Sequence, residues 1–141
     1  MLKGIPEILS PELIKIMMEM GHGDELIIAD GNFPAAALAQ RLVRADGQNV
    51  PDLLNAIITY FPLDQYCAKP FGLMDIVPGD PTVPMIWDTY KKILIENGYN
   101  IEQIESVERF EFYERAKKAY AIIATSEKAL YANIILKKGV V

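Results

Sequence analysis

Two short runs in this chain are apolar at every position, Leu26-Ile27-Ile28-Ala29 and Tyr120-Ala121-Ile122-Ile123-Ala124, and a third, Ile134-Ile135-Leu136, is entered from Asn133. Unbroken apolar runs of this length are expected for strands covered on both faces, as in a parallel sheet. A fourth strand is predicted over Leu73 to Val77, stopped by Pro78-Gly79-Asp80-Pro81, and Pro78 to Pro84 reads as a long loop. Between these runs lie stretches with helical spacing. Ser10-Pro11-Glu12 is a capped helix start, Leu13, Ile14, Met17 and Met20 follow on one face, and Gly21 can supply a left-handed stop. Asn49-Val50-Pro51 leads into Leu53, Leu54, Ile57 and Ile58; Met85 to Asn97 and Arg109 to Lys118 are further helical patterns. Helices alternating with buried strands predict an α/β fold, a single-domain three-layer sandwich around a mostly parallel central sheet.

Size and charge narrow the function classes. The 141 residues fit one domain without an internal repeat or linker. Such a chain buries roughly two-thirds of its unfolded surface and needs no disulfide or structural metal. The mean hydropathy is slightly positive, which predicts that another subunit covers part of the surface. A net charge of -5, with lysines and arginines scattered among glutamates, argues against nucleic acid as a partner. The single cysteine, Cys67, excludes an internal disulfide and suits a reducing compartment. The first residues lack the apolar core of a signal peptide, and no segment approaches the ~20 apolar residues of a membrane span. A cytoplasmic location, away from the membrane, is the expectation.

One histidine and one cysteine cannot build the usual zinc sites. No dinucleotide fingerprint, Walker loop or nucleophile elbow is present. Chemistry in this chain therefore runs on side chains alone, with no cofactor and no metal. Histidine is the side chain suited to giving and taking protons near neutral pH. His22 lies between two glycines, open to a small ligand, and also reads as a plain helix-end histidine favoured by the helix dipole. Asp30 falls just beyond a strand, where open α/β sheets bind ligands, yet Asp30-Gly31-Asn32 also suits a simple turn. In Arg109-Phe110-Glu111-Phe112-Tyr113-Glu114-Arg115 the aromatic stripe reads as core-facing, with Arg109 and Tyr113 as hydroxyl-binding groups in the functional alternative. Tyr131 and Asn133 offer polar groups at alternate positions ahead of the last strand; Asn133 reads equally as a turn residue.

Taken together, Gly21-His22-Gly23-Asp24-Glu25, Asp30-Gly31-Asn32-Phe33-Pro34, Arg44-Ala45-Asp46-Gly47, Phe110 through Ala116 and Tyr131 through Gly139 resemble the RbsD/FucU family over nearly the whole chain. Phe-x-Phe-Tyr-Glu-Arg-Ala and Leu-Lys-Lys-Gly are the specific segments, and they favour the L-fucose mutarotase branch over the D-ribose pyranase branch. The resemblance implies an RbsD-like fold, a cofactor-free isomerase of free monosaccharides and a ring-shaped decamer. It also implies site residues: His22 as proton donor, Asp30 and Arg109 as sugar ligands, and Tyr131 with Asn133 as the ligand pair before the last strand. Asp64 and Tyr113 match residues of animal relatives, and Met74 matches a pocket wall. Gly31 stands where the family leads one to expect a slightly larger residue such as alanine.

Mutarotation needs one group to accept the proton of the anomeric hydroxyl while another protonates the ring oxygen. Positioned acid-base groups contribute ~10²–10⁴-fold to such a step, so no metal or nucleotide is required. On this reading His22 exchanges the proton, and Asp30 holds a hydroxyl or orients the imidazole. Asp64 is the other carboxylate partner. Because phenols ionise only near pH ~10, Tyr113 serves as a neutral shuttle, and Arg109 anchors hydroxyls with its fork of donors. The alternatives are D-ribose pyranase activity and non-catalytic monosaccharide binding. In a ring, Tyr131 and Asn133 of one subunit can face the His22 of a neighbour.

Overall fold

The structure, a computed structural model, describes residues 1–141. Ser10 opens helix α1 (Pro11–Glu19): its hydroxyl accepts the Leu13 N–H at 3.1 Å, satisfying one of the orphan donors of the first turn. Strand β1 (Glu25–Ala29), helix α2 (Ala35–Leu38), strand β2 (Leu42–Ala45) and helix α3 (Val50–Ile58) follow. Then come β3 (Phe71–Met74), α4 (Ile86–Glu96), β4 (Ile104–Val107), α5 (Arg109–Lys118), β5 (Ala121–Thr125) and β6 (Ile134–Lys137). Asn49 caps α3 by accepting the Asp52 N–H at 2.9 Å, and Glu108 caps α5 through the N–H groups of Phe110 and Glu111. No helix is long and apolar enough to cross a membrane.

The strands form one sheet in the order β2-β5-β1-β6-β3-β4. All neighbours run parallel except β6, which is antiparallel to both β1 and β3. Successive side chains of a strand point to opposite faces, and both faces here are covered. Leu26, Ile28, Ile134 and Leu136 pack with Leu13, Leu54 and Tyr90 of α1, α3 and α4. Ile27, Ala29, Ile122 and Ile135 pack with Phe112 and Ala116 of α5. That is why the central strands read as unbroken apolar runs. Arg115 ties the layers at one edge, bonding Glu25 of β1 at 2.6 Å and Glu105 of β4 at 2.9 Å.

The predicted sandwich is the observed one, with three local corrections. The strand expected over Leu73 to Val77 lies at Phe71–Met74, paired with Ile104–Val107 and β6; beyond it the chain leaves the sheet, and Val77 enters a cavity wall. Gly21 does not end α1 in a left-handed turn: Met20 is extended there, and the left-handed residue is Gly23, with φ of 87°. Strands β2 and β4 carried no prediction. They are the edge strands, and their sequences, Leu-Val-Arg-Ala and Ile-Glu-Ser-Val, mix polar with apolar residues because each has only one strand neighbour.

Candidate functional site

The carboxyl ends of β1, β3 and β4 and the start of antiparallel β6 meet at one edge of the sheet, the place where open α/β sheets bind ligands. A cavity of about 200 Å³ lies there, smaller than the ~300–1,000 Å³ of drug-sized sites and suited to a small ligand. Asp30, Met74, Arg109, Tyr113, Tyr131 and Asn133 all line it, with Phe33, Val77 and Leu130 in the apolar wall and Asn32 and Asp80 at its polar side.

Each polar group is held from behind. Asp30 follows the last residue of β1 and is buried; its Oδ1 accepts the Asn32 N–H at 2.9 Å and its Oδ2 the Asn133 amide at 2.9 Å. Burial pushes its pKa up, only partly offset by the N–H groups of Asn32 and Phe33 and by Asn133, and the charge of Glu127 adds to the rise. Arg109 opens α5, and its guanidinium carbon lies 5.6 Å from the centre of the Tyr113 ring. Tyr113 in turn packs on Phe33, ring centres 5.5 Å apart. Tyr131 is the one non-glycine residue with positive φ, at 57°, a conformation costly for a bulky side chain and concentrated at functional sites. The Trp87 indole N–H donates to the Tyr131 carbonyl at 2.8 Å and the buried Tyr90 hydroxyl to the Ala132 carbonyl at 2.8 Å. Burial raises the Tyr90 phenol far above its ordinary value, so it stays a neutral donor.

His22 and Asp64 are elsewhere. They sit at the opposite end of β1, whose first residue, Glu25, lies five residue steps before Asp30, on the order of 16 Å along the strand. Asp30 therefore cannot orient the imidazole of its own chain, one of the two jobs the sequence offered it. Asp64 does so instead: its Oδ1 lies 3.1 Å from His22 Nε2 and also accepts the Tyr66 N–H at 3.0 Å. A carboxylate can only accept, so Nε2 directs its proton at Asp64, and Nδ1 is the nitrogen left to exchange a proton with a ligand. Burial alone would raise the Asp64 carboxyl, but the Tyr66 N–H and His22 outweigh it and hold it below the usual range. The backbone fixes this pair tightly. The Gly23 N–H donates to the Lys138 carbonyl at 2.8 Å, and the Asp64 N–H to the Lys137 carbonyl at 3.0 Å. Gly139 packs so closely that a Cβ there would stand 2.6 Å from the Leu63 carbonyl oxygen.

Chemically, the cavity offers a set of hydroxyl-binding donors and acceptors, and the His22–Asp64 pair offers an oriented proton carrier. No three His, Cys, Asp or Glu side chains converge as a metal-ligand group would. Gly31 finds its reason in packing: its N–H donates to the Glu127 carbonyl at 2.9 Å, and a Cβ would lie 3.2 Å from that oxygen. Sequence reasoning missed Asp80, Trp87 and Tyr90. Asp80 was absorbed into the Pro-Gly-Asp-Pro turn, and a carboxylate between two prolines in a loop that ends a strand was the signal available. The two aromatics reach the site only through the packing of α4.

The chain resembles proteins of known name over its full length. It is 49% identical to the fucose mutarotase of Mus musculus, covering 98% of this chain and 94% of the relative. The L-fucose mutarotase of Actinobacillus pleuropneumoniae is 47% identical, with 99% and 97% covered. The fucose mutarotase of Streptococcus pneumoniae, solved in complex with L-fucose, matches with a TM-score of 0.96 at 51% identity, covering 99% of both chains. The model of the RbsD / FucU transport protein family matches residues 3–141, and with these likenesses on the same six-stranded sheet the chain belongs to the RbsD/FucU family.

Proposed function

We propose that this protein is an L-fucose mutarotase, an isomerase that interconverts the α and β anomers of free L-fucose by acid-base ring opening and closure. Residues 1–141 act as a single domain of that activity. The observation that carries the reading is the TM-score of 0.96 to a fucose mutarotase solved with L-fucose, on a chain whose cavity gathers hydroxyl-binding groups where that fold binds ligands. Asp30, Arg109, Tyr131 and Asn133 hold sugar hydroxyls, Met74 walls the pocket, and Tyr113 acts as a neutral hydrogen-bonding shuttle. His22, steadied by Asp64 through Nε2 and carrying a second proton on Nδ1, supplies that proton to the ring oxygen as the ring opens and recovers it on closure. Between the two events the open-chain aldehyde turns about its first carbon–carbon bond.

Because β1 separates His22 from the cavity of its own chain, the working site joins the His22–Asp64 pair of one subunit to the cavity of another. A ring-shaped homodecamer in the cytoplasm is the assembly we infer. Exposed large side chains flank both half-sites, Tyr66 beside His22, and Leu130 and Phe110 beside the cavity, as expected of surfaces that meet in an assembly.

Exchange spectroscopy on the anomers of L-fucose tests the activity, with D-ribose as the comparison sugar. Faster α/β exchange with the parent protein is expected; saturable binding without faster exchange overturns the enzyme reading. Mixing subunits tests the shared site. His22→Ala and Asn133→Ala are each expected to be inactive alone and to regain part of the activity when co-assembled. No recovery in mixed particles overturns the shared site. A particle mass near ten times the 15.8 kDa chain is expected by light scattering.

A further inference from the structure

The Pro78–Pro84 loop carries a carboxylate that faces the sugar cavity and is bound to one of its ligands. Asp80 lines the cavity, and the Tyr131 hydroxyl donates to its Oδ2 at 2.5 Å. The other oxygen is engaged twice, accepting the Thr82 N–H at 2.9 Å and the Thr82 hydroxyl at 2.6 Å. A carboxylate held at both oxygens has one orientation, and Pro78 and Pro81 stiffen the loop that carries it. The bonds from Thr82 and Tyr131 hold the Asp80 carboxyl below the usual range, and in return Asp80 holds the phenol above its own.

This arrangement decides what Tyr131 can offer a ligand. A phenol has one hydrogen and two lone pairs. The hydrogen goes to Asp80, and the Val77 N–H touches the oxygen at a long 3.3 Å. One lone pair is left for the cavity, so Tyr131 meets a sugar hydroxyl as an acceptor. Asp30, the buried carboxylate of the cavity, is differently placed from the half-buried Asp80: its oxygens are taken by Asn133 and the Asn32 N–H. The strained backbone of Tyr131, held by Trp87, is consistent with a side chain that must be placed closely.

We propose that Asp80 is a positioning residue for the mutarotation: it fixes Tyr131 as an acceptor toward the anomeric hydroxyl and takes the proton that Tyr131 passes on. The inference rests on the mutarotase reading above. In the opening step the anomeric O–H proton moves to the Tyr131 oxygen as the Tyr131 proton moves to Asp80 Oδ2. The bond from the anomeric carbon to the ring oxygen breaks as the carbonyl forms, and the imidazolium of His22 from the neighbouring subunit gives its Nδ1 proton to the ring oxygen. Closure returns both protons by the same routes. Nothing is oxidised, and no co-reactant is needed.

The test is anomer exchange of L-fucose by the assembled protein bearing Asp80→Asn, Asp80→Glu or Tyr131→Phe. Asp80→Asn is expected to lower kcat by about 10–100-fold, within the range of acid-base contributions, with KM changed less than threefold. Asp80→Glu is expected to restore part of the loss. Labelling tyrosine at Cζ and assigning Tyr131 by its loss in Tyr131→Phe gives a direct readout: the phenol is expected to titrate at lower pH in Asp80→Asn than in the parent. Should the Asn variant fail to fold, Tyr131→Phe must show the same fall in kcat. The double variant, where it folds, is expected to be no slower than the slower single one. Parental kcat in Asp80→Asn, a loss confined to KM, or multiplicative losses in the double variant overturn the proposal. A parent that does not accelerate exchange defeats the mutarotase reading instead.

Discussion

Asn133 grips Asp30 at two points: its Oδ1 accepts the Asp30 backbone N–H at 2.8 Å, and its Nδ2 donates to the Asp30 carboxylate at 2.9 Å. The two residues are 103 positions apart and meet because β6 runs antiparallel beside β1, with Ile28 opposite Ile134. One amide thus closes the end of a strand and orients a buried carboxylate into the cavity.

Asn133→Ala leaves that N–H and carboxylate without their buried partner. An unsatisfied buried polar group costs ~1–3 kcal/mol, and a loss of that size is expected in urea unfolding, together with weaker sugar binding. A stability within 0.5 kcal/mol of the parent, the spread of neutral surface changes, would remove Asn133 as the latch.

His22 is about half exposed, at 47% of its side-chain surface, so its removal is expected to spare the fold and cost the reaction. In His22→Ala the fold should be kept, with a melting temperature lowered only by the partner that Asp64 loses, while anomer exchange falls ~10²–10⁴-fold. An equal exchange rate in the two proteins takes His22 out of the mechanism.

Asp64 links stability to pH. Its carboxyl is held below the usual range in the folded chain, so it contributes stability that is fully present above the unfolded value near ~3.9 and lost as pH falls through the folded value. The stability difference between parent and Asp64→Asn is therefore expected to be constant above about pH 5 and to shrink below pH ~4. Unfolding curves from pH 3 to 6 measure this, and a difference that does not change over that window contradicts the assignment.

Gly139 controls the backing of His22. A Cβ at Gly139 would lie 2.6 Å from the Leu63 carbonyl oxygen and 2.8 Å from the Asp64 Cα, both backbone atoms that cannot rotate away. Gly139→Ala is expected to destabilise by ~1–3 kcal/mol, as overpacking does, and to slow exchange by shifting Asp64 away from the imidazole. Gly31→Ala makes the milder control, since its contact with Glu127 is 3.2 Å. Equal behaviour of the two variants would argue against the clash.

By itself the sequence determined the layers. Runs such as Leu26–Ala29 announce two covered faces, and the capped starts at Ser10 and Asn49 announce helices, because periodicity and capping are local properties. It also carried the motifs that place the chain in its family, and with them the candidate site residues. Tertiary structure decided the rest. That Asp30 joins Asn133 while His22 joins Asp64 depends on strand order and direction, which no local pattern records. The edge strands β2 and β4 gain their state from a single neighbour rather than from apolar alternation. Asp80 became part of the cavity only when Tyr131 reached it across 51 residues of chain, a contact set by packing and invisible to spacing.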